Sequence, residues 1–73
     1  MKATQCDRVL HYMIRFGSIT QLEALADLGC MRLASRISDL RKRGYPIGRR
    51  MKSGKNRFGE DVSFAEYYLI EED

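Results

Sequence analysis

Apolar residues recur at helical spacing through the first half of this chain and alternate with polar ones through the second. Cys6, Val9, Leu10, Met13 and Ile14 fall at i, i+3, i+4, i+7 and i+8, on one face of a helix. Thr4 opens that segment with a hydroxyl able to accept a backbone N–H. Asp7 adds a carboxylate at the positive helix end, and Gly17 stops the run. A first helix is expected over about residues 4–16. Ser18-Ile19-Thr20 reads as a short extended link, available as a third strand near Ile19. Thr20-Gln21-Leu22-Glu23 has the form of a capping box, in which hydroxyl and carboxylate each satisfy the other residue's free amide. It predicts a second helix over about 21–28, burying Leu22, Leu25, Ala26 and Leu28 and ending at Gly29. A third helix is expected over about 31–43, with Leu33, Ile37 and Leu40 buried and Gly44 as its stop. No good capping residue marks its start.

Beyond Gly44 the helical period is lost. Pro46 holds Tyr45 in an extended conformation, and the alternation that follows predicts a β-hairpin over about 46–70. Asn56-Arg57-Phe58-Gly59 is the best turn, with Gly59 taking positive φ. Pairing Lys55 with Glu60 across it aligns Arg49 with Glu66, Met51 with Phe64 and Ile47 with Tyr68, giving opposite-charge and apolar pairs together. Phe64, Tyr67 and Tyr68 are assigned to filling the core rather than to stacking on bases.

Composition narrows the class. Seventy-three residues make a single domain, 1–73, near the lower size for independent folding. No apolar run approaches the ~18 residues of a membrane span, and the N-terminus lacks a signal-like apolar stretch, so a cytoplasmic protein is expected. Cys6 and Cys30 are too few for a disulfide framework and are expected reduced; with His11 as sole histidine they fall short of a zinc site. There is no triad-like arrangement and no glycine-rich phosphate loop, and little room for a pocket of ~300 Å³. No enzymatic activity, metal, cofactor or small-molecule ligand is expected.

Charge then changes the picture. The net charge is only +3, yet ten of the thirteen basic residues lie between Arg32 and Arg57, with Asp39 as the one acid among them. Residues 58–73 hold six acids and no base. A concentrated basic block in a small folded chain usually faces phosphates.

Three helices followed by a two-stranded hairpin wing give an α+β chain of the winged helix-turn-helix type. The stretches from Ser18 to Gly29 and from Met31 to Ile47 resemble the small helix-turn-helix proteins of bacteriophages and prophages, and Lys55-Asn56-Arg57-Phe58-Gly59 is similar to their hairpin. The resemblance spans about residues 4–70 and implies a DNA-binding fold. Compact repressors carry alanine four residues before the turn glycine; Leu25 stands there in this chain, which favours the winged form.

Opposite the buried stripe of the third helix lie Met31, Ser35, Asp39 and Lys42, with Arg32 and Ser38 beside them and Arg36 and Arg43 flanking. Short side chains bordered by long cations suit a helix in a major groove, where arginine can hydrogen-bond guanine O6 and N7. Arg32, Ser35 and Arg36 are expected at base edges, and Lys42 and Arg43 at phosphates. Asp39 is expected to pair with Arg36 or Arg43, in preference to accepting from a cytosine amino group. On the wing, Arg49, Arg50, Lys52, Lys55, Asn56 and Arg57 are candidates for phosphates or the minor groove. Ser18, Thr20 and Gln21 are candidates for a phosphate at the second helix start.

These features point to a non-enzymatic, sequence-preferring binder of double-stranded DNA. Its expected role is a transcriptional regulator or recombination accessory factor of a phage or mobile element, associated with the nucleoid. It is expected to work as a homodimer or as several copies on adjacent sites. The competing class is a protein-interaction module docking on a host or phage protein through the acidic tail Glu71-Glu72-Asp73 and the hairpin surface. RNA binding is a third. The tail is also a candidate internal competitor for the basic surface.

Overall fold

Three helices and three strands appear in the expected order in a computed structural model that describes residues 4–70. The acidic tail lies outside the described residues. Helix α1 spans Gln5–Phe16, strand β1 Ser18–Thr20 and helix α2 Gln21–Leu28. Helix α3 spans Leu33–Lys42, strand β2 Ile47–Lys55 and strand β3 Asp61–Leu69. Both capping boxes form. Thr4 Oγ1 accepts from Asp7 N at 3.2 Å while Thr4 N donates to Asp7 Oδ2 at 3.1 Å. Thr20 Oγ1 accepts from Glu23 N at 3.2 Å while Thr20 N donates to Glu23 Oε1 at 2.9 Å. Gly17, Gly29 and Gly44 follow the three helices with positive φ.

The core is one cluster with contributions from every element but β3. Cys6, Val9 and Met13 come from α1, Ile19 from β1 and Ala24 from α2. Cys30 comes from the turn after α2, Leu33, Ile37 and Leu40 from α3, and Ile47 from β2. Leu10, Tyr12, Leu28, Tyr67 and Leu69 pack on its margin. Across α1 and α2, the Tyr12 hydroxyl donates to Asp27 Oδ2 at 2.7 Å, and that bond is the main reason its pKa is pushed up to about 12.

Three expectations about packing fail. Ile14 is exposed, and so are Leu22, Leu25 and Ala26, which were assigned to the core. The residues of α2 that face the core are instead Ala24, which is buried, and Leu28, which packs on the margin, at i and i+4. The small Ala24 lets α2 approach closely, and Gln21, itself exposed, directs its amide to backbone partners at the start of α3. Phe64 is 39% exposed and so does not fill the core.

The sheet has the order β1-β3-β2 with antiparallel neighbours, so the Ile19 segment is a true third strand. The hairpin register differs by one residue from the expected one. Lys55 pairs with Asp61, Arg50 with Glu66, Met51 with Ala65, Arg49 with Tyr67 and Ile47 with Leu69. The cause lies in the loop. Asn56 N donates to Glu60 O at 3.0 Å, so the loop proper is the three residues Arg57-Phe58-Gly59. Asn56 Oδ1 accepts from both Phe58 N (2.9 Å) and Glu60 N (3.0 Å). Gly59, at φ 77°, takes the left-handed position that a three-residue hairpin loop requires. A one-residue change of register moves every side chain to the other face.

On β2, Gly48 faces Tyr68, and a Cβ added there would lie 2.4 Å from the ring carbon Cζ. The ring rests on bare backbone, with the Arg50 guanidinium also over it at 4.8 Å from the ring centroid. Gly48→Ala should therefore lower stability by about 1–3 kcal/mol in urea unfolding. Combined with Tyr68→Ala, it should cost less than the sum of the two single changes.

Candidate nucleic-acid interface

Helix α3 is mounted at both ends by side chains from elsewhere. Its N-cap, Arg32, makes no side-chain capping bond. Gln21 supplies the cap from α2: its Oε1 accepts from Leu33 N at 3.0 Å, and its Nε2 donates to Cys30 O at 2.8 Å. One amide thus closes the turn between α2 and α3, and it explains why α3 begins at Leu33 rather than near 31. At the other end Arg41 donates to Ile47 O through Nε (3.2 Å) and Nη2 (3.0 Å), joining α3 to the base of the hairpin. On the α1 side the Cys6 thiol lies 3.9 Å from Asp39 Oδ2.

These anchors define what remains open. Leu33, Ile37 and Leu40 face the core, Arg41 reaches the hairpin, and Asp39 contacts α1. The remaining direction carries Ser35, Ser38 and Lys42, all exposed. Arg32 precedes this face and Arg43 follows it, both exposed. Of the two partners open to Asp39, Arg36 is taken, with Nη2 to Oδ2 at 3.4 Å.

The basic block sorts into two groups. Arg36, Arg50, Lys52 and Lys55 are engaged in ion pairs, and Arg41 is committed to Ile47 O. Among the described residues, Arg32, Lys42, Arg43, Arg49 and Arg57 of the block make none.

Glu66 accounts for two of the engaged cations. It is buried in the middle strand, beside Thr20 of β1 and Arg50 of β2. Its Oε1 accepts from Arg50 Nε at 2.6 Å, and its Oε2 lies 3.1 Å from Lys52 Nζ. The Arg50 bond chiefly holds its carboxyl below the ordinary glutamate range; burial opposes this, and Lys52 and Ser18 add to it. At the hairpin end Lys55 Nζ reaches Asp61 Oδ1 at 3.0 Å, with both side chains well exposed, so that pair contributes little.

The expected phosphate site at the start of α2 is differently used. Ser18 helps hold the Glu66 carboxyl at a lowered pKa, Thr20 is buried in its capping box, and Gln21 spends both ends of its amide within the chain. Sequence reasoning missed the roles of Gln21 and Glu66. For Glu66 a signal existed: it is the one acid inside the apolar run from Phe64 to Leu69, and a buried carboxylate requires cationic partners. A cleft of about 490 Å³, larger than expected in so short a chain, opens where β1 ends beside β3. Gln21, Leu22, Ala34, Lys52, Phe64 and Tyr67 line it.

A helix held across a short turn, with an outward face free and a β-hairpin beside it, defines the winged helix-turn-helix class. The family model for the winged helix-turn-helix domain matches residues 4–72, and the chain belongs to that family. No curated protein matches it closely enough to count as a relative. Among the described residues no helix is long and apolar enough to cross a membrane, and no three of His, Cys, Asp and Glu stand together to hold a metal ion.

The Glu66 carboxyl has a lower pKa folded than its ordinary value of 4.5. Its stabilisation is therefore complete above that value and is lost as pH falls through the lower, folded one. Thermal midpoints followed downward from pH 6 should fall more gently for Glu66→Gln than for the parent chain. Gln21→Ala, which strands the Leu33 amide and the Cys30 carbonyl, should lower stability by about 1–3 kcal/mol in chemical unfolding.

Proposed function

We propose that this chain is a sequence-preferring double-stranded DNA-binding protein that serves transcription control or recombination in a phage or other mobile element. In this reading α3 enters the major groove, where Ser35 and Ser38 allow close approach and Arg32 and Arg36 reach base edges. Asp39 holds the Arg36 side chain for that task. Lys42 and Arg43 meet phosphates near the helix end. On the wing, Arg49 and Arg57 are available as they stand, whereas Arg50, Lys52 and Lys55 must exchange a carboxylate for a phosphate. Asn56 shapes the loop that presents Arg57. Work at the nucleoid in the cytoplasm follows from this role.

One observation carries the reading: the serine face of α3 is left open and is bordered by Arg32, Lys42 and Arg43, which make no ion pair among the described residues. A single ten-residue helix touches few bases, so tight binding calls for two copies, as a dimer or on adjacent sites.

The test is duplex binding at several salt concentrations. If the five unpaired cations engage phosphates, raising salt from 50 to 200 mM should weaken binding on the order of a hundredfold or more. Changing both Lys42 and Arg43 to alanine should reduce the log–log salt slope by roughly two. A flat salt response defeats the proposal.

The outward apolar residues of α2, Leu22 at 75% and Leu25 at 48% exposed, favour a second reading as a protein-docking module. Under that reading Arg32→Ala with Arg36→Ala leaves function in cells intact; under the first it abolishes it.

A further inference from the structure

Phe58 is the most exposed of the large apolar residues described, at 82%. A lone exposed aromatic is ordinary; its setting here is not. It occupies the centre of the three-residue loop at the far end of the hairpin, where turns usually place small or polar residues. The loop does not need it. Asn56 and Gly59 supply the turn chemistry, and Phe58 contributes only its backbone N–H, donated to Asn56 Oδ1 at 2.9 Å. Four hydrogen bonds centred on Asn56 hold the loop backbone in one shape: Asn56 N to Glu60 O, Gly59 N to Asn56 O, and Phe58 N and Glu60 N to Asn56 Oδ1. The ring is thus presented on a fixed stalk.

Its neighbours select what it can meet. Arg57 makes no ion pair among the described residues, and Lys55 is tied only to the exposed Asp61. Cations stand on one side of the ring only, since Glu60 and Asp61 follow it. An exposed aromatic next to Arg57 fits a surface that is anionic outside and apolar within, which is the construction of stacked base pairs between phosphate rails. The nine-residue strands extend about 30 Å. That exceeds the ~17 Å half-turn separating a helix in the major groove from the flanking minor groove.

We propose that Phe58 inserts from the minor groove between adjacent base pairs, unstacking them and kinking the duplex. Such a wedge acts most easily at flexible pyrimidine–purine steps, so it would give the protein a preference for deformable sequence at positions α3 never touches. The inference rests on the duplex-binding reading above and extends it from groove recognition to DNA bending.

The test uses the full chain and a duplex recovered from a random pool, labelled with a dye at each end. The parent chain should shorten the end-to-end distance read by energy transfer. Phe58→Ala should still bind, weakened by about tenfold or less because lost stacking is offset by unstacking avoided, and should leave the duplex straight. The chain has no tryptophan, so Phe58→Trp introduces a sole indole reporter. It should keep the bend, with its emission quenched by bases. Circular dichroism checks that both variants, altered only at an exposed loop tip, remain folded. Normal duplex binding with an equal bend in Phe58→Ala, or with unquenched indole emission, overturns the wedge while leaving the DNA reading intact. An indole that responds to anionic lipid vesicles and not to the duplex also overturns it. Failure of the parent chain to bind any duplex overturns both.

Discussion

Asn56 accepts two backbone amides on one side-chain oxygen, and through that contact the hairpin closes over three residues rather than four. Side chains alternate across a strand, so the one residue fewer in the loop decides the face of every side chain on the wing. It brings Arg50, not Arg49, opposite Glu66, and it sets Tyr68 against Gly48, the residue with no Cβ to obstruct the ring. Arg50 then lies between the Glu66 carboxylate and the Tyr68 ring. With the other register Arg49 would take that place and Arg50 would be released. The loop therefore governs which cations are available to a partner at the far end of the strands.

The helices could be read from the chain because their signals are local. Thr4 with Asp7 and Thr20 with Glu23 are capping boxes within four residues, and the stops at Gly17, Gly29 and Gly44 stand next to the ends they mark. The start of α3 could not be read in that way, since its cap is Gln21, twelve residues earlier and on another helix. The packing of α2 was misjudged for a related reason. Eight residues hold two eligible stripes, and Leu22 with Leu25 looks more hydrophobic than Ala24 with Leu28. Which stripe packs inward depends on the elements set against α2, and these are placed only by folding. The basic block was legible as a block; its division into paired and unpaired cations was not, because the pairing runs across strands.

That division alters the electrostatics of the surface. Burying Glu66 between Arg50 and Lys52 engages two cations and offsets one positive charge inside the wing, and both cations keep about half of their side-chain surface exposed. A phosphate approaching them competes with a carboxylate that is already in place and already desolvated. The cations that make no ion pair among the described residues lie at Arg32, Lys42 and Arg43 around α3 and at Arg49 and Arg57 along the hairpin; of these Arg43 feels the Asp7 carboxylate of α1. Under the proposed function, long-range attraction would draw on the whole basic block, whereas at short range the cations paired with Glu66, Asp39 and Asp61 would first have to exchange a partner.

Specificity in so small a domain has a narrow physical basis. The open face of α3 offers two serines and one lysine between arginines at its borders, which supports only a few base contacts. Contacts at three points position this face: Gln21 caps the start, Arg41 ties the end to β2, and Cys6 approaches Asp39 on the flank. Rigid presentation lowers the entropy lost on docking and so raises the worth of each contact made. Under the proposed duplex binding, a mismatch of shape would fall largely on the duplex, and the hairpin loop, with its own backbone fixed by Asn56, is the part of the protein that would impose that deformation. Rigidity at both contact points therefore makes the stiffness of the target sequence part of the energy of binding.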